Sequence, residues 1–280
     1  MNDKRIHIEF FSSGYCTANS RHVFPDDPRK VIPFHATWAF IDHPSLGKIL
    51  FDTGYSSRFF KATKSLPNRI YRLITPVYHE AEQSCISQLR RMNITAAGIK
   101  NIVISHFHAD HTGGLMDFPE AGVWCSEEAL EFALGKHRLT AVFKGVLKEQ
   151  IPEGIRSRAN FPRGLLEEFE LFGLKMWKWA ENISFVDLPG HARGQIGLYV
   201  RNTIYGDLLL CADAAWSSES VRSKIYPSGI VSVISDNFKE MKKTMDKLHN
   251  LSVSNPEIKI IPTHCHETVI LSKTGIEVQT

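Results

Sequence analysis

Long apolar runs, paired cysteines and a charge imbalance are all missing from this sequence of 280 residues. The longest apolar runs, such as 102–104 and 208–211, fall far short of the roughly 20 residues that span a bilayer, so we expect no membrane partner. A formal net charge of +3 gives no reason to expect a nucleic-acid partner either. The five cysteines have no C-x-x-C spacing, which argues against a disulfide scaffold and favours a reducing cytoplasm.

Two blocks of short β-like runs, each followed by helical segments, make up most of the chain. We predict strands at 5–11, 37–42, 48–51, 101–105, 183–188, 197–200, 208–212 and 258–261. Helices are predicted at 81–92, at 126–134 and after Asp236, a candidate N-cap. Because no Pro/Gly/Ser-rich linker separates the blocks, residues 1–280 are predicted to form a single α/β domain, with two sheets face to face and helices outside.

Residues 135–180 interrupt this rhythm. They contain nine lysines and arginines against five glutamates, with two tryptophans near the end. Their apolar residues predict an amphipathic helix, with the stripe formed by Leu139, Val142, Phe143, Val146 and Leu147. We predict a helical, basic insertion that is either a lid over a site, a packed elaboration or a dimer interface.

Histidine is abundant, with 13 residues in the chain, and three of them fall in one short segment. His106, His108, Asp110 and His111 directly follow an apolar strand and precede Gly113 and Gly114. Alternate residues of an extended chain point the same way, so His106 and His108 share a side, while adjacent Asp110 and His111 diverge. A polar cluster after a buried strand is costly unless it is used. Imidazole and carboxylate together suit zinc, iron or manganese.

This segment resembles the signature of the metallo-β-lactamase superfamily, His-x-His-x-Asp-His followed by Gly-Gly. Four further motifs resemble that family in the same order, each after a predicted strand: Asp52-Thr53-Gly54, Pro189-Gly190-His191, Ala212-Asp213 and Pro262-Thr263-His264. The resemblance implies an α/β fold of the αββα type, with two mixed β-sheets flanked by helices and a dinuclear metal site at the sheet edge.

The resemblance also implies a role for each matching residue. His106, His108 and His191 would hold one divalent ion, while Asp110, His111 and His264 would hold a second, and Asp213 would bridge them. Asp52 would orient a ligand histidine. The ions are expected to be zinc, with iron or manganese as alternatives, and Asp110 is the candidate for proton transfer during attack by a metal-bridged hydroxide.

The resemblance leaves a choice at the last motif, because His264 and His266 flank Cys265. The family's pattern places the ligand two residues after the proline, at His264. We consider His266 to be either a group beside the ligands or substrate, or a surface histidine.

In motif order the chain is most similar to the N-acyl homoserine lactone lactonases, which implies hydrolysis of a small-molecule lactone. Those enzymes usually carry a tyrosine three residues after the bridging aspartate, whereas this chain has Trp216. The indole N–H can only donate, and the larger ring would reshape the substrate pocket.

Three alternatives remain from the sequence. The substrate could be a thioester or a phosphodiester, and an anionic one would find cationic partners in Arg156, Arg158 and Arg163 of the insertion. The metal site could also belong to a non-catalytic scaffold. A homodimer is a further expectation, since an apolar helix in the insertion would suit an interface.

Overall fold

A computed structural model describes residues 5–28, 30–135 and 138–271 of the chain. The strands are β1 (His7–Asn19), β2 (Val31–His43), β3 (Gly47–Phe51), β4 (Val77–Tyr78), β5 (Ile99–Val103), β6 (Gly122–Trp124), β7 (Ala159–Asn160), β8 (Glu167–Leu171), β9 (Leu174–Ala180), β10 (Ile183–Asp187), β11 (Ile196–Thr203), β12 (Gly206–Ala212) and β13 (Lys259–Pro262). The helices are α1 (Arg58–Ala62), α2 (Asn68–Ile74), α3 (Cys85–Arg91), α4 (Ala109–Thr112), α5 (Glu127–Leu134), α6 (Arg138–Phe143), α7 (Pro162–Leu165), α8 (Ser218–Arg222), α9 (Phe238–Ser254) and α10 (His266–Leu271).

The strands form two mixed sheets. The first has the order β4-β1-β2-β3-β5-β6-β7 and the second the order β13-β12-β11-β10-β9-β8. In the first sheet β1, β2 and β3 are antiparallel, whereas β3, β5 and β6 are parallel. In the second sheet only β12 and β13 run parallel.

Three apolar cores hold these layers together. Residues such as Ile41, Phe51 and Phe185 fill the space between the sheets. The outer face of the first sheet packs on α3 and α5 through residues that include Leu89 and Leu130. The outer face of the second sheet packs on α9 through the residues Met245, Leu248 and Leu251. The predicted αββα sandwich is therefore confirmed.

The insertion differs from its prediction. Helix α6 ends at Phe143, and the chain turns at Gly145, where φ is +79°, so the predicted stripe does not lie along one helix. Leu139 and Phe143 are exposed, although Val142 is buried. The prediction of a helical insertion is also wrong for its second half, because β8 and β9 form an antiparallel hairpin in the second sheet.

The N-cap of α9 is one residue away from its predicted position. The side chain of Asn237, rather than that of Asp236, accepts a hydrogen bond from the backbone N–H of Glu240. Asp236 instead accepts a hydrogen bond from the Arg193 guanidinium at 3.2 Å. Among the helices in the described part of the chain, none has both the length and the apolar character of a membrane span.

Candidate metal centre

Seven polar side chains converge where strands of both sheets end. Four of them follow β5, and one each follows β10, β12 and β13. Each of the seven belongs to at least one of three overlapping groups, and within each group the possible ligand atoms lie within 4.8 Å of one another. The seven residues are His106, His108, Asp110, His111, His191, Asp213 and His264. The structure thus brings together every residue that the resemblance implied as a ligand.

The first group consists of His106, His108 and His191. The ring centroids of His106 and His108 are 4.3 Å apart, and those of His108 and His191 are 4.8 Å apart. The Nε2 atom of His191 lies 3.2 Å from Nδ1 of His108. Three imidazole nitrogens therefore face a common point, an arrangement typical of a zinc site with an open position.

The second group consists of Asp110, His111 and His264. Oδ2 of Asp110 lies 3.7 Å from Nε2 of His111 and 3.5 Å from Nε2 of His264. Asp213 stands between the two groups, with its carboxylate oxygens 3.4 Å from Nε2 of His111 and 3.3 Å from Nε2 of His191. One carboxylate is thus within reach of both metal positions.

The polar atoms in this cluster fit metal ions. Nε2 of His106, Nε2 of His111 and Oδ1 of Asp213 are all buried and have no hydrogen-bond partner. A buried polar atom without a partner costs about 1–3 kcal/mol, and three such atoms with lone pairs face one small volume. Nitrogen and carboxylate donors of this kind match zinc, iron or manganese better than calcium or magnesium.

Electrostatics keep the first group neutral. Burial, helped by neighbouring imidazoles, lowers the pKa of His106 well below its usual value, and the same causes lower the pKa of His108 to about 4. Burial also lowers the pKa of His191 to about 3. Neutral imidazoles have the free lone pairs that metal binding requires.

The second group carries more negative charge. Burial alone would lower the pKa of His111, but the carboxylates of Asp52, Asp110 and Asp213 outweigh it and raise that pKa. Burial would likewise raise the pKa of Asp213, yet the imidazoles of His264, His111 and His191 hold it well below its usual value. The second group is therefore a site where added positive charge is stabilised.

Asp52 contacts the candidate ligand His111, the kind of contact that the resemblance implied. It follows β3 with a positive φ of 60°, a strained backbone for a residue other than glycine. Its Oδ2 accepts a hydrogen bond from Nδ1 of His111 at 2.7 Å and another from the hydroxyl of Ser105 at 2.8 Å. Ser105 was not predicted as a site residue, although its position at the end of an apolar strand and next to His106 was a usable signal.

A cavity of about 490 Å³ opens onto the cluster. Its walls are mainly apolar and include Phe34, Tyr71, Val142 and Trp216. Of the residues that line it in the described chain, Lys144 is the only lysine or arginine, and its ammonium donates to the backbone carbonyls of Val233 and Ser235. The first half of the insertion thus forms one wall of the cavity, and that wall offers no unpaired cation.

The three arginines proposed for an anionic substrate lie elsewhere. Arg156 pairs with Glu131 on the surface, and Arg158 donates to the backbone carbonyls of Phe118 and Ala121. Arg163 lies over the ring of Trp177, with its guanidinium carbon 5.7 Å from the ring centroid. None of the three is among the described residues that line the cavity.

Two other predicted site residues have distinct positions. Trp216 is buried in the cavity wall, and its indole N–H donates to Oδ2 of Asp213 at 3.2 Å. His266 is exposed at the start of α10 and does not join the cluster, so its placement beside ligands or substrate is wrong and its surface alternative holds. The backbone turns here because α10 begins directly after Cys265.

The chain matches a known protein family over most of its length. The family model described as the Metallo-beta-lactamase superfamily matches residues 31–244, which is most of the chain and includes six of the seven clustered residues. The chain therefore belongs to the metallo-beta-lactamase superfamily, and the class expected from its motifs, a metallo-hydrolase, is confirmed.

Several relatives and solved structures are similar to this chain. N-acyl homoserine lactonase AttM of Azorhizobium caulinodans is 25% identical over 214 residues, which are 76% of this chain and 75% of that protein. A probable metallo-hydrolase of Mycobacterium tuberculosis is 31% identical over 171 residues, which are 60% of this chain and 53% of that protein.

Among solved structures, an N-acyl homoserine lactone hydrolase with N-hexanoyl-L-homoserine at its catalytic metal centre is 18% identical, with a TM-score of 0.74 and 96% of each chain covered. AidC, a dizinc quorum-quenching lactonase, is 14% identical with a TM-score of 0.63, covering 95% of this chain and 90% of that one. These two likenesses show that the fold is shared.

Proposed function

We propose that the protein is a dinuclear metal-dependent hydrolase that opens a lactone with an apolar substituent. The observation that carries this proposal is the position of the seven-residue cluster at one end of an apolar cavity of about 490 Å³. The relatives named as N-acyl homoserine lactonases support the same substrate class.

Two divalent ions would be held by the two groups of side chains. His106, His108 and His191 would bind the first, and Asp110, His111 and His264 the second, with Asp213 shared between them. Zinc is the proposed metal, and iron or manganese would suit the same donors. When bound, the ions supply Lewis-acid polarisation of the ester carbonyl and lower the pKa of water in the site.

The chain's own residues would complete the reaction. The carboxylate of Asp110 lines the cavity, so it can take a proton from the attacking water and return it to the ring oxygen as the C–O bond breaks. The oxygen of one water molecule then ends in the new carboxylate, one of its hydrogens ends in the new hydroxyl, and the other is released to solvent as a proton. Phe34, Tyr71 and Val142 would bury the apolar substituent and exclude bulk water from the ester.

The alternative substrates fit the cavity less well. An anionic thioester or phosphodiester would gain from a cation in the cavity wall, whereas the ammonium of Lys144 there is already bonded to two carbonyls. A non-catalytic scaffold would have no use for an open apolar cavity beside the cluster. Neither alternative therefore has an observation in its favour that the lactonase proposal lacks.

Steady-state kinetics on a substrate panel would test this proposal. Zinc-loaded protein would be assayed on N-acyl homoserine lactones of increasing chain length, a simple γ-lactone, an acyl thioester and a phosphodiester. We expect kcat/KM to be highest for a lactone and to rise with chain length, and chelator treatment or Asp110→Asn to abolish most turnover. A preference for the thioester or phosphodiester, or full activity in Asp110→Asn, would overturn the proposal.

A further inference from the structure

The hydroxyl of Ser105 connects two candidate ligands, His106 and His111, to one carboxylate. Ser105 is fully buried, and its Oγ lies 2.8 Å from Oδ2 of Asp52 and 3.0 Å from Nδ1 of His106. Nδ1 of His111 lies 2.7 Å from the same Oδ2 of Asp52. A single carboxylate oxygen therefore contacts His111 directly and His106 through the serine, whose Oγ also lies 3.3 Å from Nδ1 of His111.

The directions of these hydrogen bonds follow from the number of hydrogens. A carboxylate can only accept, so the single hydrogen of the Ser105 hydroxyl goes to Asp52, and the serine oxygen is left to accept from Nδ1–H of His106. Asp52 accepts from Nδ1–H of His111 in the same way. In its neutral form, each imidazole then carries its hydrogen on Nδ1 and presents a bare Nε2.

The two Nε2 atoms are the ones that a metal would need. Nε2 of His106 and Nε2 of His111 are both buried without a hydrogen-bond partner. His106 belongs to the first group of candidate ligands and His111 to the second. A single hydrogen-bonded unit thus prepares one nitrogen for each metal position.

We propose that Ser105 is a positioning residue that extends the influence of Asp52 to His106, so that one carboxylate fixes the tautomer of a ligand in each metal position. This inference rests on the proposed metal centre. The hydroxyl can be removed without disturbing the backbone of Ser105. The Ser105 N–H donates to Oδ1 of Asp52, and the Ser105 carbonyl accepts from Ile196 N–H, so neither bond involves the hydroxyl. Removing the hydroxyl therefore leaves the turn itself in place.

Zinc binding by full-length variants would test this role without relying on turnover. Zinc affinities of Ser105→Ala, Ser105→Thr and Asp52→Asn would be measured by competition with a chelator. Ser56→Ala is the matched control, since the Ser56 hydroxyl is also buried near the site but donates to the Gly113 carbonyl. In zinc-loaded, ¹⁵N-labelled protein, NMR would follow the Nδ1 proton of His106.

We expect Ser105→Ala to weaken one of the two zinc sites by about 10–100-fold, as is typical when a partner of a ligand histidine is lost. Asp52→Asn should weaken both sites, and Ser105→Thr and Ser56→Ala should bind zinc as the wild type does. The hydrogen-bonded Nδ1 proton of His106 should be present in the wild type and Ser105→Thr and lost in Ser105→Ala. If Ser105→Ala does not fold, Ser105→Cys provides the same test, because a thiol is a weak acceptor.

Other outcomes separate this inference from the proposed function. Wild-type zinc affinity at both sites in Ser105→Ala, or equal losses in Ser105→Ala and Ser105→Thr, would overturn the role of Ser105. A wild-type protein that binds two zinc ions but opens no lactone would overturn the proposed function and leave the role of Ser105 intact. A wild-type protein that binds no zinc would overturn both.

Discussion

Nε2 of His264 lies 2.9 Å from Oδ2 of Asp213, at the point where β13 ends beside β12. The other ring nitrogen, Nδ1, is 2.8 Å from the backbone carbonyl of His35, so the imidazole is held from both sides. His266 is only two residues further along, yet its side chain is exposed on α10. The last motif therefore contains one candidate ligand and one surface histidine.

The first prediction compares these two histidines. His264→Ala should lose one of two equivalents of zinc and most of the turnover, because it removes a donor from the second group. His266→Ala should keep both equivalents and change the free energy of unfolding by no more than about 0.5 kcal/mol, as is usual for a surface substitution. Elemental analysis and lactone hydrolysis would be measured on both variants. Loss of zinc in His266→Ala, with both equivalents kept in His264→Ala, would contradict this assignment.

The second prediction concerns the contact between the insertion and the metal centre. A Cβ added at Gly145 would lie 3.0–3.3 Å from atoms of the His108 ring, and the Gly145 carbonyl accepts a hydrogen bond from Ala109 N–H at 3.0 Å. Gly145→Ala should therefore displace His108 and weaken zinc binding in the first group.

Gly154 provides the control for backbone strain. Its φ of +71° is close to the +79° of Gly145, but a Cβ there would meet nothing within 4 Å. Both alanine variants should lose about 1 kcal/mol of stability, which is the usual cost of a left-handed residue with a Cβ. Only Gly145→Ala should also lose zinc affinity, as measured by chelator competition. Equal zinc affinities in the two variants would show that the contact with His108 is unimportant.

The sequence was sufficient to predict which residues cluster at the candidate metal centre, but not everything around them. Spacing after an apolar strand indicated a metal site at His106, His108, Asp110 and His111, and the resemblance to the superfamily implied the other three residues, which the structure brings into the same cluster. Ser105 was missed because a serine before a histidine has many ordinary roles, and only the distances to Asp52 and His106 distinguish this one.

The prediction for the insertion was wrong for a physical reason. Apolar residues at helical spacing predicted a longer α6, but Gly145 adopts a positive φ and turns the chain, so Val146 is buried by tertiary contacts and not by the helix. Strand β8 was missed because three of its five residues are glutamates, and β9 was missed because Lys175 and Lys178 interrupt its apolar residues. Strand β8 lies at the edge of the second sheet, where charged residues are tolerated, and the two lysines of β9 are exposed to solvent.

The third prediction is a dependence of stability on pH. Burial, with the charges of His264 and His266 adding to it, lowers the pKa of His35 to about 4, whereas an unfolded histidine titrates near 6.5. Between these values the unfolded chain binds more protons than the folded one, so stability from the neutral imidazole is present above pH 6.5 and is lost as the pH falls toward 4.

Denaturant unfolding at several pH values would measure this effect. The free energy of unfolding of the wild type should fall between pH 6.5 and 4 in the presence of a chelator, which removes any contribution from metal release. His35→Gln should show a shallower fall over the same range, because glutamine does not titrate. Parallel curves for the two proteins would mean that the pKa of His35 is not lowered in the folded state.

The last prediction concerns Trp216, which occupies the position where similar lactonases usually have a tyrosine. Its only polar hydrogen points at Oδ2 of Asp213, 3.2 Å away, so the indole has no second hydrogen for a substrate oxygen. Trp216→Tyr would make room in the cavity wall and bring a hydroxyl to it, and Trp216→Phe is the matched control with the same ring and no hydroxyl.

On N-acyl homoserine lactones, we expect kcat/KM of Trp216→Tyr to exceed that of Trp216→Phe by about tenfold. That factor corresponds to roughly 1.4 kcal/mol, the size of one good hydrogen bond. Both variants should retain two equivalents of zinc, since Asp213 keeps its contacts with His111, His191 and His264. Equal kcat/KM in the two variants would mean that a hydroxyl at this position does not reach the substrate, and that the cavity orients the lactone by its apolar walls alone.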